Sequence, residues 1–217
     1  MMKSVILMVG AFVASTVFGA SLYDEQIGSI LADMTSTNIE TRLNVTNRLN
    51  ALIASVTNRE QLATCRLLKA KLRIECEDIT RDERIYDYYA FHDATNLCWK
   101  VRNTFSPSEN AWQFYGATLL LPLPLSMDRQ HQAAYSIATN ALVSLGVQND
   151  VEIDTNVWAV LFSQESSNPG QIRMLLRTLA AVSLSFADKT ADISSYTNGL
   201  PAHALKVIND VRSEIGN

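Results

Sequence analysis

Five times along this 217-residue chain a helix-start signature is followed by apolar residues at helical spacing, and no run alternates apolar and polar residues as a half-buried strand does. Thr37-Asn-Ile-Glu40, Thr57-Asn-Arg-Glu60, Thr80-Arg-Asp-Glu83 and Ser106-Pro-Ser-Glu109 match the capping box. In that motif a hydroxyl and a carboxylate take up backbone N–H groups that a first helical turn leaves without carbonyl partners. Asn168-Pro169-Gly-Gln171 is a variant with proline at the first helical position. Leu49, Leu52, Ile53 and Val56 continue the first signature, Leu62, Cys65, Leu68, Leu72 and Cys76 the second, and Ile172, Leu176, Leu179 and Val182 the fifth.

Ser126 reads as the cap of a further helix with Ala134, Ala138, Ala141 and Leu145 inward, stopped by Gly146. Asp154 starts a segment with Val157, Val160 and Leu161 on one face, and Pro201 opens a last helix with Leu205, Ile208 and Val211 inward. The chain is thus expected to be all-α, a compact irregular bundle of about seven or eight helices. The alternative is a short array of helical hairpins, because the first starts fall at 37, 57 and 80, but no repeat motif recurs. Ala187–Gly199 is polar and reads as a mobile loop.

The N-terminus constrains location. Met1-Met2-Lys3 is a short basic start, Val5 to Phe18 carries no charge, and Gly19-Ala20-Ser21 offers the small residues of a cleavage site. This is the pattern of a secretory signal peptide over residues 1–20, leaving 21–217 as a single all-helical domain that is secreted or periplasmic. The apolar run is shorter than the about 20 residues of a membrane-spanning helix, and no second span follows. An uncleaved N-terminal anchor is the rival reading. The net charge is −4, and Lys and Arg are scattered, which argues against nucleic acid as a partner. Asn44-Val-Thr46 is a glycosylation sequon, relevant only in a eukaryotic secretory pathway.

Three cysteines in an exported chain raise the question of a disulfide. Cys65 and Cys76 fall on one expected helix, roughly 16 Å apart along its axis, too far for a bridge. An antiparallel return near residue 79 brings Cys98 level with Cys65, so the candidate disulfide is Cys65–Cys98 with Cys76 unpaired. Three buried thiols acting as small hydrophobes are the alternative.

Aromatic residues crowd the stretch from 86 to 115. On the expected helix from 82, Ile85, Tyr89, His92, Asn96 and Trp99 share one face, and Tyr88, Phe91, Thr95, Cys98 and Arg102 share the next. Rings stack on ligands while amide, imidazole and guanidinium edges orient them, so Tyr88, Tyr89, His92, Trp99 and Trp112 are the candidate ligand contacts. The competing account makes this helix the central one, with its rings only filling the core. Asp128-x-x-His131 supplies two of the three or four ligands that zinc requires, so neither a metal nor another cofactor is implied. No nucleophile elbow, zinc-protease helix, phosphate loop, dinucleotide fingerprint or Cys-x-x-Cys occurs.

The expected function is therefore an exported binding or scaffold module without catalysis, taking a small glycan, a peptide or a protein partner. The alternative is an exported hydrolase acting on glycan or peptidoglycan, with Glu83, Asp87, His92 or Asp93 as acid or base. Leu119-Leu-Leu-Pro-Leu-Pro-Leu125 is expected to be extended at its prolines. It serves either as a covered strap through the core or as an exposed patch for a partner in an envelope assembly.

Overall fold

The computed structural model describes residues 22–36, 38–80, 88–109, 111–146, 154–162 and 169–216. The expected signal peptide and its cleavage site lie outside them, as do Thr37, Glu83, Asp87 and Asn168. All described regular structure is helical, as the capping signatures and their spacing require. The helices are α1 (22–34), α2 (Ile39–Ser55), α3 (Arg59–Thr80), α4 (Tyr88–Arg102), α5 (Ala111–Leu120), α6 (Pro122–Met127), α7 (His131–Leu145), α8 (Thr155–Phe162), α9 (Pro169–Ala187), α10 (Ser194–Thr197) and α11 (Ala202–Gly216). Two compact units result, Met1–Arg48 and Leu49–Asn217.

In the first unit α1 buries Ile27, Ile30 and Met34, whose spacing is that of one helical stripe. An ion pair joins Arg48 of α2 to Asp33 of α1. The helix starts at α2 and α3 sit one residue later than the capping boxes imply. Asn38 Oδ1 accepts from the backbone N–H of Glu40 at 2.9 Å and of Thr41 at 3.3 Å. Asn58 Oδ1 does the same for Glu60 at 2.9 Å and Gln61 at 3.1 Å. Asparagine is at least as good an N-cap as threonine, so the amide beside each threonine takes the role.

The second unit is organised around α5. All eight residues from Gln113 to Leu120 are buried, and the helix carries no charge. It packs against α3, α4, α6, α7 and α9, so α5, not α4, is the central helix. Gly116 lets this happen: a Cβ there would lie 3.3 Å from Leu67 Cδ1 and 3.9 Å from Trp158 Cζ3. Trp158, wholly buried on α8, leans on Phe162 with ring centroids 4.5 Å apart. Leu67, Leu68 and Leu72 from α3 are also fully buried, each stabilising the fold by about 2 kcal/mol.

α3 and α4 form an antiparallel hairpin. Arg59, at the start of α3, donates to the carbonyl of Thr104 just beyond α4 at 2.9 Å. Further along, Lys69 and Arg73 each reach Asp93 near the start of α4 at 3.4 Å. That register makes Cys65 and Cys98 level, as expected. The bridge itself is not formed, and both residues are fully buried thiols. Between two helices of this hairpin a thiol packs as a small apolar group, and burial pushes the Cys98 thiol far above its ordinary pKa. The Cys76 side chain lies outside the described residues.

Leu119–Leu125 is helical where an extended strap was expected. Pro122 is the first residue of α6 and Pro124 the third. The N–H groups at those positions have no intrahelical acceptor in any helix, so two prolines within the first turn cost no hydrogen bond. The chain only dips between α5 and α6, with Leu121 itself in a right-handed helical conformation and donating to the Ala117 carbonyl at 3.1 Å. The segment is covered, as the strap reading had it, except for Leu123, which is 47% exposed.

Two other boundaries differ from expectation. Ser126 lies inside α6 and does not cap α7, whose N-cap is Gln130 with no side-chain hydrogen bond. Ser106 Oγ accepts from the Glu109 N–H at 3.2 Å, but that turn stops and α5 begins at Ala111. Asp154 caps α8 as expected, accepting from Asn156 and Val157.

The polar stretch after α9 is a docked return segment. Ile193 and Leu200 are buried with Ala181, Ala204 and Ile208 in one apolar cluster. Arg177 on α9 donates to the carbonyls of Ser195 and Asn198, and Arg212 on α11 donates to the Lys189 carbonyl at 2.9 Å. The chain therefore doubles back along α9, and α11 then runs beside α9 in the same direction.

Candidate functional site

An open cleft of about 320 Å³ lies between α4 and the end of α6. Its first wall is a single stripe of α4: His92, Thr95, Asn96 and Trp99, spaced by three and four residues, with Phe91 beside them. Its second wall is Pro124, Leu125 and Met127 of α6 with Asp128 and Gln130 of the connection to α7.

Each wall is held from behind. Arg102, one turn along α4 from Trp99, places its guanidinium carbon 5.3 Å from the Trp99 ring centre and 5.1 Å from that of Phe114 on α5. Cation–π contact with both rings pins the indole against the central helix, and partial burial lowers the Arg102 pKa from its ordinary value. On the other side, the Gln130 N–H donates to the Leu125 carbonyl at 2.8 Å and the Arg129 N–H to the Ser126 carbonyl at 3.0 Å, the pattern of a Schellman close. Arg129 adopts φ 59° to make it, a left-handed conformation usually left to glycine. The connection is thus fixed by backbone bonds, and it presents Asp128 and Gln130 to the cleft as neighbours, with Gln130 Nε2 donating to Asp128 Oδ2.

Polar edges on the α4 wall are also ordered. Asn96 Nδ2 lies 3.1 Å from His92 Nδ1, and with the amide donating, the imidazole carries its proton on Nε2. Thr95 turns its hydroxyl inward to the Phe91 carbonyl at 2.8 Å and offers the cleft mainly its methyl face. The lining includes a carboxyl group and no lysine or arginine.

Of the candidate contacts named from sequence, His92 and Trp99 line this cleft together with Asn96 of the same face. Trp112 does not: it sits half-buried near the start of α5. Tyr88 and Tyr89 open α4, and their side chains lie outside the described residues. Among the candidates for acid–base work, Glu83 and Asp87 also lie outside them, and Asp93 is ion-paired to Lys69 and Arg73 on the α3 side. Only His92 of that set faces the cleft. Asp128 and Gln130 are not among the ligand contacts the sequence suggests; Asp128 enters there only in the Asp128-x-x-His131 pair, and Gln130 only as part of a polar triplet between two apolar helices.

His131 follows directly on this wall but is half-buried outside the cleft lining. Its ring stacks on Phe186 at 5.0 Å with planes 12° apart, and burial, followed by the Arg129 charge, lowers its pKa. Among the described residues no three His, Cys, Asp or Glu side chains gather as a metal site, and no helix is long and apolar enough to cross a membrane. No protein-family model, curated protein or solved structure matches the chain.

Proposed function

We propose that this protein is an exported, all-helical binding module whose ligand occupies the α4–α6 cleft. The observation that carries the reading is the convergence, in one cavity of about 320 Å³, of the Trp99 and Phe91 rings with His92, Asn96, Asp128 and Gln130. A concave apolar site with a few ordered polar groups is the usual form of a small-molecule site. Export rests on the basic, apolar and small-residue succession at residues 1–20.

Two experiments test this. N-terminal sequencing of the protein expressed with its leader is expected to begin at Ala20 or Ser21; an intact Met1 on a membrane-retained chain overturns export. For the site, the tryptophan indole N–H signals are followed by NMR against separate pools of sugars, amino acids, nucleosides and amines. Binding is expected to move the Trp99 signal, leave that of the enclosed Trp158 in place, and vanish in Trp99→Ala. If no pool moves Trp99, the cleft is not a ligand site and the function lies elsewhere.

A further inference from the structure

From the two carboxamides that flank the cleft we infer that its ligand presents secondary amide groups on a short apolar frame. That is the chemistry of a one- or two-residue peptide or of an N-acylated small molecule, and it rests on the binding-module reading above. A primary amide has two N–H donors and one carbonyl oxygen. Asn96 directs one N–H to His92 Nδ1, and Gln130 directs one to Asp128 Oδ2. Each side chain therefore keeps one N–H and its oxygen for a ligand, a donor and an acceptor in one plane. The Asp128 carboxylate is already engaged, by Gln130 and by a further partner.

A donor beside an acceptor, offered once from each wall, matches a group that itself accepts and donates. In a trans secondary amide the C=O and N–H point to opposite sides of the chain, so a ligand built on such groups addresses Asn96 and Gln130 together. Much of the remaining lining is apolar, with Phe91, Pro124, Leu125 and Met127 beside the Trp99 ring, and Thr95 turns its hydroxyl to the Phe91 carbonyl. A sugar ring would leave hydroxyls unpaired wherever they meet that surface, at the cost of their desolvation. A secondary amide brings one donor and one acceptor, and its apolar flanks and flat face suit the walls and the indole. A volume of about 320 Å³ is at the small end of ligand pockets and suits one or two residues.

The test uses the full exported chain and reads the Trp99 indole signal together with titration calorimetry. One set of probes is N-acetylleucine methylamide and its two ester isosteres, in which one or the other N–H is replaced by oxygen. A second is methyl N-acetylglucosaminide, with methyl glucoside as its amide-free counterpart. At least one amide probe is expected to bind, and an amide-free counterpart to bind about tenfold more weakly for want of one paired N–H. In Asn96→Ala or Gln130→Ala, both at exposed positions, that preference is expected to vanish with the unfolding temperature unchanged. Binding of the leucine derivative assigns a peptide source, and binding of the N-acetyl sugar alone an acylated sugar. Equal affinity for amide and amide-free probes, or a preference that survives in both variants, overturns the amide inference and leaves the cleft a ligand site. Binding of a compound from the pools described above while no amide probe binds does the same. Silence of Trp99 toward every probe and every pool removes both readings.

Discussion

The hydroxyls of Tyr135 on α7 and Tyr196 on α10 lie 2.7 Å apart across 61 residues of sequence, with their rings edge to face at 5.9 Å. This bond ties the return segment after α9 to α7. The partner hydroxyl and then burial raise Tyr196 to about 12, and burial alone takes Tyr115 to about 12. A tyrosine whose pKa is higher in the fold than in the unfolded chain stabilises the fold in its protonated form. That contribution is complete below pH ~10 and is lost as pH rises toward 12. Tyr196→Phe is expected to cost about 1 kcal/mol at neutral pH, a fall of ~2–4 °C in unfolding temperature. It should also flatten the alkaline decline, as urea unfolding at pH 9 and pH 11 will reveal.

His131 behaves in the opposite sense. Its pKa is lowered by burial and by Arg129, so the neutral imidazole is the form the fold prefers. That contribution is present above the unfolded value of ~6.5 and is lost as pH falls through the lower folded value. Arg129→Gly should raise the His131 pKa, seen directly in its ring-proton NMR titration. The same change relieves the left-handed φ of 59° and is expected to stabilise the protein by about 0.5–1 kcal/mol. A loss of stability would mean that the Arg129 side chain contributes more than its backbone strain costs.

At Gly116 two effects oppose each other. Alanine improves helix propensity by up to about 1 kcal/mol, while its Cβ meets the mobile end of Leu67 at 3.3 Å. Gly116→Ala should therefore stay within about 1 kcal/mol of the parent. Gly116→Val places further methyls against Leu67 and Trp158 and is expected to cost about 2 kcal/mol or more. Equal stability of the two variants in urea would show that α5 does not seat as closely as described.

The shifted caps can be separated by single substitutions. Asn58→Ala removes the acceptor for two N–H groups of α3 and should cost about 1 kcal/mol. Thr57→Ala, one residue earlier, should be within about 0.5 kcal/mol of the parent. The reverse order in thermal unfolding would restore the capping box as the motif in use.

Cys98 provides a chemical check on the α3–α4 hairpin. Wholly buried and with its thiol pKa raised by that burial, it is expected to resist an aromatic disulfide reagent in the native protein. It should react promptly once the protein is unfolded without reductant. If Cys98 and Cys65 react in the unfolded chain only after reduction while Cys76 reacts without it, the Cys65–Cys98 bridge is established.

Helix identity was legible because it depends on local chemistry. The stripe His92, Asn96, Trp99 follows from the 3.6-residue period alone, and it became one wall of the cleft. So did the level placement of Cys65 and Cys98, which needs only two helix lengths and a turn. Less visible were α1, whose Ile27, Ile30 and Met34 lie directly after the leader pattern, and α6, where two prolines read as breaks. A proline's effect depends on whether it falls in a first turn or an interior one, and the residues around Pro122 do not announce that a helix restarts there.

The sequence by itself determined that the chain is all-α, where most helices begin, and which face of α4 carries rings and polar edges, because caps, periodicity and turn chemistry act over a few residues. Only the tertiary structure decided which helix is central, that Asp128 and Gln130 stand opposite Trp99, and that Trp112 does not. Those outcomes depend on close approach between segments distant in sequence. Gly116 against Leu67, and Arg102 between Trp99 and Phe114, are contacts whose partners no local pattern specifies.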